Sequence, residues 1–383
     1  MSNKLHKIGL LSLVAFVFLV QACTKDENIV PNIDDDANHV VIDTMIVDTN
    51  TVEVTIENLL ANQVNGLIIP TYENYKSQTV SLVSAVESFI TNSNSSTLAT
   101  ARTAYLEAYI AYQASAVHNY YATANLDLVN TTNLYPIDLG VLAELIENES
   151  YNFNVLAQHR ANGFPAIDYL LYGLDDPVTT FSTESKTANF LLELVKSIDQ
   201  KADLLIERWT GNLRENFIGN GGVELGSSIS VQLNESLIYY EDHVRENKIG
   251  IPIGKAGPND TPFDPDATKI EAYYQAQRDG DDHISLSLLR AAVEEMEDIY
   301  LGRAEDGSDG IGYEDLLLAR EQESLDADIK DQYQAIYDAI DNRSFITGDA
   351  SLYHSIQELV TLYKSDLFPV LNIQDADGAN DGD

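Results

Sequence analysis

Apolar residues recur three and four positions apart along most of the chain beyond residue 55, and this spacing is typical of amphipathic helices. Alternation of apolar and polar residues at period two, which would indicate strands, is nearly absent. Segments with the helical period cover residues 70–91, 97–121, 138–148, 183–209, 227–246, 284–301, 325–341 and 350–366. The pattern therefore predicts an all-α fold.

Two stretches interrupt the helical pattern. Residues 250–267 contain four prolines and cannot form one continuous helix, because proline lacks an N–H group and clashes with the preceding turn. Residues 302–312 are rich in Gly and Asp, which predicts an irregular loop. Gly211 predicts the end of the helix at 183–209.

The predicted helices fall into two groups of similar size, one before and one after residue 210. We therefore expect an N-terminal helical half at 53–210 and a C-terminal helical half at 211–370. No residue-level repeat at fixed spacing relates the two groups. The acidic segment 371–383 is predicted to be a disordered tail.

The first residues have the pattern of an export signal. Two lysines precede an apolar run at 8–20, which is too short to cross a bilayer comfortably. The run closes with Val-Gln-Ala-Cys, which resembles the lipobox of bacterial lipoproteins and ends at Cys23. The resemblance implies that residues 1–22 are removed and that Cys23 is diacylated, so that two acyl chains anchor the protein. The alternative is an ordinary signal peptide cut near Ala22.

The segment that follows the signal predicts a tether. Residues 23–52 form an acidic stretch rich in Asp and Asn, and nothing nearby offers a partner to the short strand that 40–47 could form. Residues 24–27 resemble the acidic signal that sends some outer-membrane lipoproteins to the cell surface. We therefore expect an outer-membrane lipoprotein of the cell envelope, and the acidic residues after Cys23 predict exposure at the cell surface.

Charge and composition exclude several classes of protein. The 383 residues include 22 Lys and Arg against 61 Asp and Glu, a net charge of −39, so phosphate backbones are repelled and nucleic acid is not an expected partner. A single cysteine permits no disulfide within the chain and no cysteine-based zinc site. No two histidines have the spacing of a helical zinc site, and no nucleophile elbow, phosphate-binding loop or dinucleotide fingerprint is present. Most of the 21 tyrosines are predicted core residues, although some could line a cleft or ligate ferric iron as phenolates.

The segment from Arg160 to Gly173 is the most informative of the chain. Pro165 suits a first helical turn, Asp168 suits a helix N-terminus and Gly173 ends a short helix, so the residues by themselves indicate only a capped helix. The segment also resembles the signature of the imelysin-like proteins, Gly-x-His-x-x-Glu followed by an aromatic residue and two leucines. Gly163 matches, Pro165 stands where the signature has His, and Asp168 replaces Glu. One branch of the family has the same proline.

Two further stretches support the resemblance. Residues 239–254 resemble the family's Lys-Leu-Gly-x-Pro-Leu-Gly run at the end of a helix, and residues 307–316 resemble a later Gly-rich loop before a helix. The helix that carries Tyr105 and Tyr112 fits an early helix of the family. Together these matches cover residues from about 60 to about 370.

The resemblance implies an all-helical fold of two four-helix-bundle-like halves, with the signature near their interface. Gly163, Pro165 and Asp168 are therefore the candidate residues of a ligand cleft between the halves. The resemblance assigns no catalytic residue to this chain, because the His and the Glu of the signature are both replaced. Asp168 is the one candidate metal ligand that the signature retains.

Imelysin-like proteins are cell-envelope proteins associated with iron or haem acquisition, and they are classed with the metallopeptidases. The first hypothesis is a lipid-anchored, non-catalytic binding protein that takes iron or haem as its ligand and has an iron or haem receptor as its partner. The alternatives are a metallopeptidase whose metal site comes from residues outside the signature, and a structural envelope lipoprotein without a ligand. The altered signature favours the first hypothesis.

Overall fold

The computed structural model describes residues 53–121, 126, 128–256, 261–280 and 283–376. The predicted signal peptide 1–22, the lipidation site Cys23 and the predicted tether 23–52 lie outside these residues. The last seven residues of the predicted tail also lie outside them. From residue 53 onward, the described residues form one compact unit.

Helices form almost all of the regular structure, so the predicted all-α fold is confirmed. Helices before residue 210 are α1 (Ile56–Asn62), α2 (Ile69–Thr91), α3 (Ser95–Val117), α4 (Leu128–Thr132), α5 (Leu139–Asn148), α6 (Gly163–Asp168), α7 (Pro177–Thr183) and α8 (Ser185–Arg208). Helices after it are α9 (Arg214–Gly219), α10 (Ser228–Tyr239), α11 (Ile251–Ile253), α12 (Tyr273–Asp279), α13 (His283–Leu301), α14 (Tyr313–Leu318), α15 (Glu323–Asp341), α16 (Ser351–Leu362) and α17 (Phe368–Leu371). A 3₁₀ helix covers Leu156–Ala161, and π-helical turns cover Gln63–Ile68, Tyr169–Gly173, Trp209–Leu213, Tyr240–Gly250 and Tyr363–Leu367.

Strand structure within the described residues is one antiparallel pair of two-residue strands. β1 (Lys255–Ala256) pairs with β2 (Thr261–Pro262) inside the proline-rich stretch that the sequence predicts not to form one continuous helix. The preceding helix ends at Gly254, whose φ of +75° is accessible to glycine and strained for other residues. No helix among the described residues combines the length and the apolar character needed to span a bilayer.

Local chemistry explains where two of the long helices begin and end. The Asn94 side chain accepts from the backbone N–H groups of Ser96 and Thr97, and the Thr97 hydroxyl accepts from the Asn94 N–H, so a capping box starts α3. After α8 the backbone leaves the helical region at Gly211, with φ −89° and ψ −149°, as the sequence predicts. The helix resumes at Arg214, so Gly211 is a kink between α8 and α9.

The long helices pack in a layered arrangement around a tyrosine-rich core. Helix α2 lies against α3 and α8, α3 also lies against α13, and α15 packs on α16. The α3–α13 contact joins a helix of the first predicted half to one of the second. Most of the tyrosines are buried, as predicted, and the single tryptophan, Trp209, is fully buried with its ring edge-on to Tyr120 and Phe217.

The Gly-rich loop between α13 and α14 is closed by direct backbone contact. A Cβ on Gly302, whose φ is +69°, would lie 2.3 Å from the Ile311 carbonyl carbon, and a Cβ on Gly312 would lie 2.2 Å from that of Leu301. Asn62 at the end of α1 donates through Nδ2 to the carbonyl oxygens of Gly302 (2.7 Å) and Ile311 (3.1 Å). Glycine is therefore required at both ends of the predicted irregular loop, which is fixed to α1.

The first residues of the predicted tail pack on the helices. Leu371, the last residue of α17, is fully buried. Asn234 of α10 accepts from the Ala376 N–H at 2.7 Å and donates to the Gln374 carbonyl oxygen at 3.1 Å. The chain is thus hydrogen-bonded to the helices as far as residue 376.

Candidate functional site

The signature glycine, Gly163, occupies a position that no other residue can take without a backbone shift. It has a φ of +69° at the start of α6, and a Cβ there would lie 1.9 Å from the Thr132 carbonyl oxygen. The backbone opposite Gly163 is the end of α4, and two hydrogen bonds hold it in place. The Thr131 carbonyl oxygen accepts from Lys201 Nζ (2.7 Å) and from Asn162 Nδ2 (2.6 Å). Gly163 therefore marks a close approach of two backbones.

The next signature residue anchors α6 to the early helix. Phe164 is fully buried and stacks on Tyr109 with ring centroids 4.4 Å apart and planes 5° apart. Tyr105 and Tyr112, which the sequence assigns to an early helix of the family, also contact Phe164. These rings join α3 to α6 through aromatic packing.

Pro165 and Asp168 line a cavity of about 230 Å³. Pro165 lies in the first turn of α6, where a missing N–H group costs no intrahelical bond. The other lining residues come from the chain around Tyr135 and from the start of α12. The predicted helical turn at Pro165 is therefore present, and both residues face a cavity.

The Asp168 carboxylate caps a helix distant in sequence. Its two oxygens accept from the backbone N–H groups of Tyr274 (2.7 Å) and Gln275 (3.1 Å), which lie in the first turn of α12. The sequence interpretation, a cap at the start of its own helix, is wrong, because Asp168 ends α6 and reaches across to α12. Burial raises the pKa of Asp168 to about 7, and the two N–H donors limit that rise.

The donor set of the signature does not fit a catalytic metal. Pro165 has no side-chain donor atom, and both oxygens of Asp168 already accept backbone hydrogen bonds. A hydrolytic zinc site needs about three protein ligands and an open position. Among the residues that the structure describes, no group of three His, Cys, Asp or Glu side chains is placed to hold a metal ion.

A second cavity, of about 210 Å³, adjoins the first and shares Tyr135 and Pro136 with it. Its innermost polar group is a buried ion pair between Lys248 Nζ and Glu271 Oε2, 2.5 Å apart. Glu271 Oε1 accepts from Gln113 Nε2 (3.0 Å) and Asn133 Nδ2 (2.6 Å). The charge of Glu271 is therefore balanced and its two oxygens are occupied, as a buried carboxylate requires.

Lys248 retains hydrogen-bonding capacity. Its ammonium group donates to Glu271 Oε2 and to Gln113 Oε1 (2.7 Å), which accounts for two of its three N–H groups. The pKa of Lys248 is lowered, because burial outweighs the charge of Glu271 and its hydrogen bond, which act in the opposite direction. The contact with Glu271 Oε2 favours the ammonium form at the inner end of the cavity.

Three neutral groups on the cavity wall also have unused donors. The hydroxyls of Tyr135 and Tyr239 make no hydrogen bond within the part of the chain that the structure describes. Asn247 Nδ2 lies 3.0 Å from His243 Nδ1, and an amide nitrogen can only donate, so the neutral imidazole carries its proton on Nε2. Burial and the nearby Lys248 lower the pKa of His243 to about 4, so this ring is neutral at pH 7.

The lining of this cavity is cationic, in contrast to the chain as a whole. Besides Lys248, it contains Arg160 and Lys269, which are respectively exposed and partly exposed. Arg160 donates to the Pro136 carbonyl oxygen (3.4 Å), and Lys269 lies 3.8 Å from Asp266. Three cations therefore face one carboxylate, Glu271, in a protein of net charge −39.

A third cavity, of about 370 Å³ between α3 and α13, has an acidic lining. Three of its carboxylates have partners: Glu295 pairs with the buried His118, Glu305 accepts from Asn74 Nδ2 (2.8 Å), and Asp298 pairs with Arg303 (2.6 Å). These contacts join α2, α3 and α13.

Comparison with known proteins assigns the family. The family model described as Imelysin matches residues 68–351, which is most of the chain, so the chain belongs to the imelysin family. The family that the sequence resembles is thereby confirmed. The search of curated proteins gives no significant match.

Two solved structures share the fold. A protein assigned as an iron-regulated protein A precursor from Parabacteroides distasonis is 16% identical and superposes with a TM-score of 0.66, covering 84% of this chain and 96% of its own. An imelysin-like protein from Psychrobacter arcticum is 18% identical with a TM-score of 0.65, covering 85% of this chain and 99% of its own. At these identities the likeness concerns the fold.

The sequence alone did not identify the residues of the cationic cavity. Lys248 lies in the stretch 239–254 that resembles the family, but no pattern linked it to Glu271, Tyr135 or His243. Tyr135, Glu271 and the segment with His243 and Lys248 come from three different parts of the chain, and only the tertiary fold brings them together. The available signal for this cavity was the presence of His243 and Lys248 on one helical segment, in a chain with few cations.

Proposed function

We propose that this protein is a non-catalytic, lipid-anchored envelope protein that binds a ligand during iron acquisition. The observation that carries the proposal is the cationic cavity with four unused donors, at Tyr135, Tyr239, His243 and Lys248. Binding sites of proteins are concave and contain a few convergent polar groups, which is what this cavity provides. Membership of the imelysin family, and a solved relative assigned as iron-regulated, support the link with iron.

The signature segment supports binding over hydrolysis. A peptidase site based on it would need ligands or a general base, and Asp168 is committed to two backbone N–H groups of α12. Gly163 and Phe164 hold backbones and rings together and carry no reactive atom. The segment thus joins α3, α6 and α12, and its Pro165 and Asp168 line the cavity of about 230 Å³.

The same cavity offers hydroxyl donors to a ligand. Burial, followed by the charge of Glu271, raises the pKa of both Tyr135 and Tyr239, so in the metal-free protein these phenols keep their protons and can donate hydrogen bonds. An iron-bearing ligand with anionic oxygen atoms would accept such hydrogen bonds.

The envelope part of the proposal rests on the N-terminal sequence. Cys23 follows an export signal, and its diacylation would supply the paired acyl chains needed for stable attachment. We expect Cys23→Ala to move the protein from the membrane to the soluble fraction, measured by immunoblot of fractionated cells. A variant that stays in washed membranes contradicts the lipid anchor.

The test of function is a thermal melt of the purified full-length protein with ferric iron, a ferric chelate or haemin. We expect at least one iron-bearing ligand to raise the melting temperature in a concentration-dependent manner, because a ligand that binds only the folded state stabilises it. A digest of a denatured protein substrate runs in parallel, with and without a chelator. Chelator-sensitive cleavage would favour the metallopeptidase, and the absence of both effects would favour a structural lipoprotein.

A further inference from the structure

The unused donors of the cationic cavity lie at two depths. Lys248 is 4% exposed and occupies the inner end, and Tyr239, 6% exposed, lies on the buried wall. Arg160 and Lys269 lie at the exposed side. A ligand that contacts both the inner donors and the cations at the exposed side must carry more than one acceptor, and these acceptors must be separated along its length.

The chemistry of the lining selects an anion. The one carboxylate, Glu271, has its oxygens occupied by Lys248, Gln113 and Asn133, so it does not compete for a cation. The donors of the lining include two phenol hydroxyls, one imidazole N–H and the third N–H of Lys248, beside the amide oxygen of Asn247, which is an acceptor. Donors beside a net positive lining bind an acceptor-rich, negatively charged group.

The volume of the cavity and the type of its donors narrow the class of ligand further. A cavity of about 210 Å³ is smaller than the ~300 Å³ at which pockets for drug-sized ligands begin, so a whole porphyrin cannot lie inside it. Phosphate groups are commonly held by helix N-termini, by bidentate arginines or by a lysine as a point charge, so phosphate is the competing ligand that the experiment must include. Donors at two depths suit separate carboxylate groups on a small ligand.

We propose that this cavity binds a small polycarboxylate, with one carboxylate on Lys248 and the hydroxyls of Tyr135 and Tyr239, and another facing Arg160 and Lys269. The proposal rests on the proposed function and gives it a ligand class. Two sources share this chemistry: the free polycarboxylate and its ferric chelate, in which carboxylates wrap the metal and leave an anionic surface. The ferric chelate connects the cavity to iron.

The experiment is isothermal titration calorimetry on the full-length protein with citrate, ferric citrate, inorganic phosphate and haemin. We expect citrate or ferric citrate to bind and phosphate and haemin to bind more weakly by at least tenfold. Preference for ferric citrate identifies the chelate as the ligand, and equal binding of both identifies the polycarboxylate.

Variants connect the binding to the cavity. Tyr239→Phe and Tyr135→Phe each remove a hydroxyl that has no partner among the residues that the structure describes, so we expect both variants to fold normally. They should weaken citrate binding about tenfold or more, since each removes a hydrogen bond to a charged group. Tyr240→Phe is the matched control, because its buried hydroxyl also lacks a partner and does not line the cavity. Lys269→Gln should weaken binding severalfold, and Lys196→Gln on α8, with the same change of charge, should not.

The outcomes separate this inference from the proposed function. Binding of haemin without binding of either citrate form overturns the inference and leaves the iron function standing. Binding of free citrate alone supports the inference and overturns the link with iron. Preference for phosphate, or equal loss in the Tyr239→Phe and Tyr240→Phe variants, overturns the polycarboxylate assignment, and no binding of any probe overturns both proposals.

Discussion

The signature segment and the cationic cavity beside it use their polar groups in opposite ways. In the signature, both oxygens of Asp168 accept hydrogen bonds from α12, and Gly163 allows a backbone contact. In the cavity, Tyr135, Tyr239 and His243 have donors with no protein partner among the described residues. Saturated groups stabilise a fold, whereas unused groups at a cavity wall are available to a ligand. The recognisable motif and the binding chemistry are thus neighbours rather than the same residues.

The largest expected effect tests the structural side of this comparison. Gly163→Val places a Cβ where the Thr132 carbonyl oxygen lies and forces a β-branched residue to a positive φ. We expect a loss of at least ~4 kcal/mol in the free energy of unfolding, measured by urea denaturation. Gly219→Val is the control, because no atom lies within 4 Å of the added Cβ, and it should cost less than ~1 kcal/mol. Equal losses would show that Gly163 is not a required contact.

A second prediction uses the titration of Asp168. Because the folded state raises its pKa from 3.8 to about 7, the native protein takes up a proton at a higher pH than the unfolded chain does. The contribution of this group to stability is therefore fully present below pH 4 and is lost as the pH rises to about 7. Across this window we expect the wild-type free energy of unfolding to fall, relative to Asp168→Asn, by up to ~4 kcal/mol. If the free energies of unfolding of the two proteins changed with pH in parallel, Asp168 would not be a buried capping residue that titrates in this range.

The smallest expected effect concerns the proline of the signature. Pro165→His restores the residue that the family signature has, in a first helical turn whose N–H needs no partner and beside a cavity with room for the ring. We expect a change in unfolding free energy within ~1 kcal/mol and no gain of zinc binding, because Asp168 stays committed to α12. Stoichiometric zinc binding by this variant in a calorimetric titration would show that one added imidazole is enough to create a metal site in the segment. That result would weaken the contrast between the signature segment and the cationic cavity.

The helices could be predicted from the sequence because burial on one helical face leaves its period in the chain. The segments 97–121 and 183–209, for example, correspond to α3 and α8. Pairings between distant segments leave no such trace. Asp168 was expected to cap its own helix, since sequence reveals neighbours along the chain, whereas Tyr274 lies 106 positions further on.

The candidate site could be predicted only in part for the same reason. Gly163, Pro165 and Asp168 were found through a motif, and two of them do line a cavity. The Lys248–Glu271 pair forms because the proline-rich stretch after α11 turns the chain back and places Glu271 beside Lys248. No pattern along the chain relates Lys248 to Glu271, because only the tertiary fold brings the two side chains together.

Trp209 gives the protein a built-in optical probe. It is the only tryptophan in a chain with 21 tyrosines, and its indole is fully buried against Tyr120 and Phe217. Excited at a wavelength that tyrosine does not absorb, its fluorescence reports on a single apolar environment, and unfolding should shift its emission to the red. Trp209 lines neither the Pro165–Asp168 cavity nor the cationic one, so a ligand should leave that emission unchanged. Trp209 fluorescence therefore reports on damage to the fold, and a separate measurement is needed to detect occupation of the cavity.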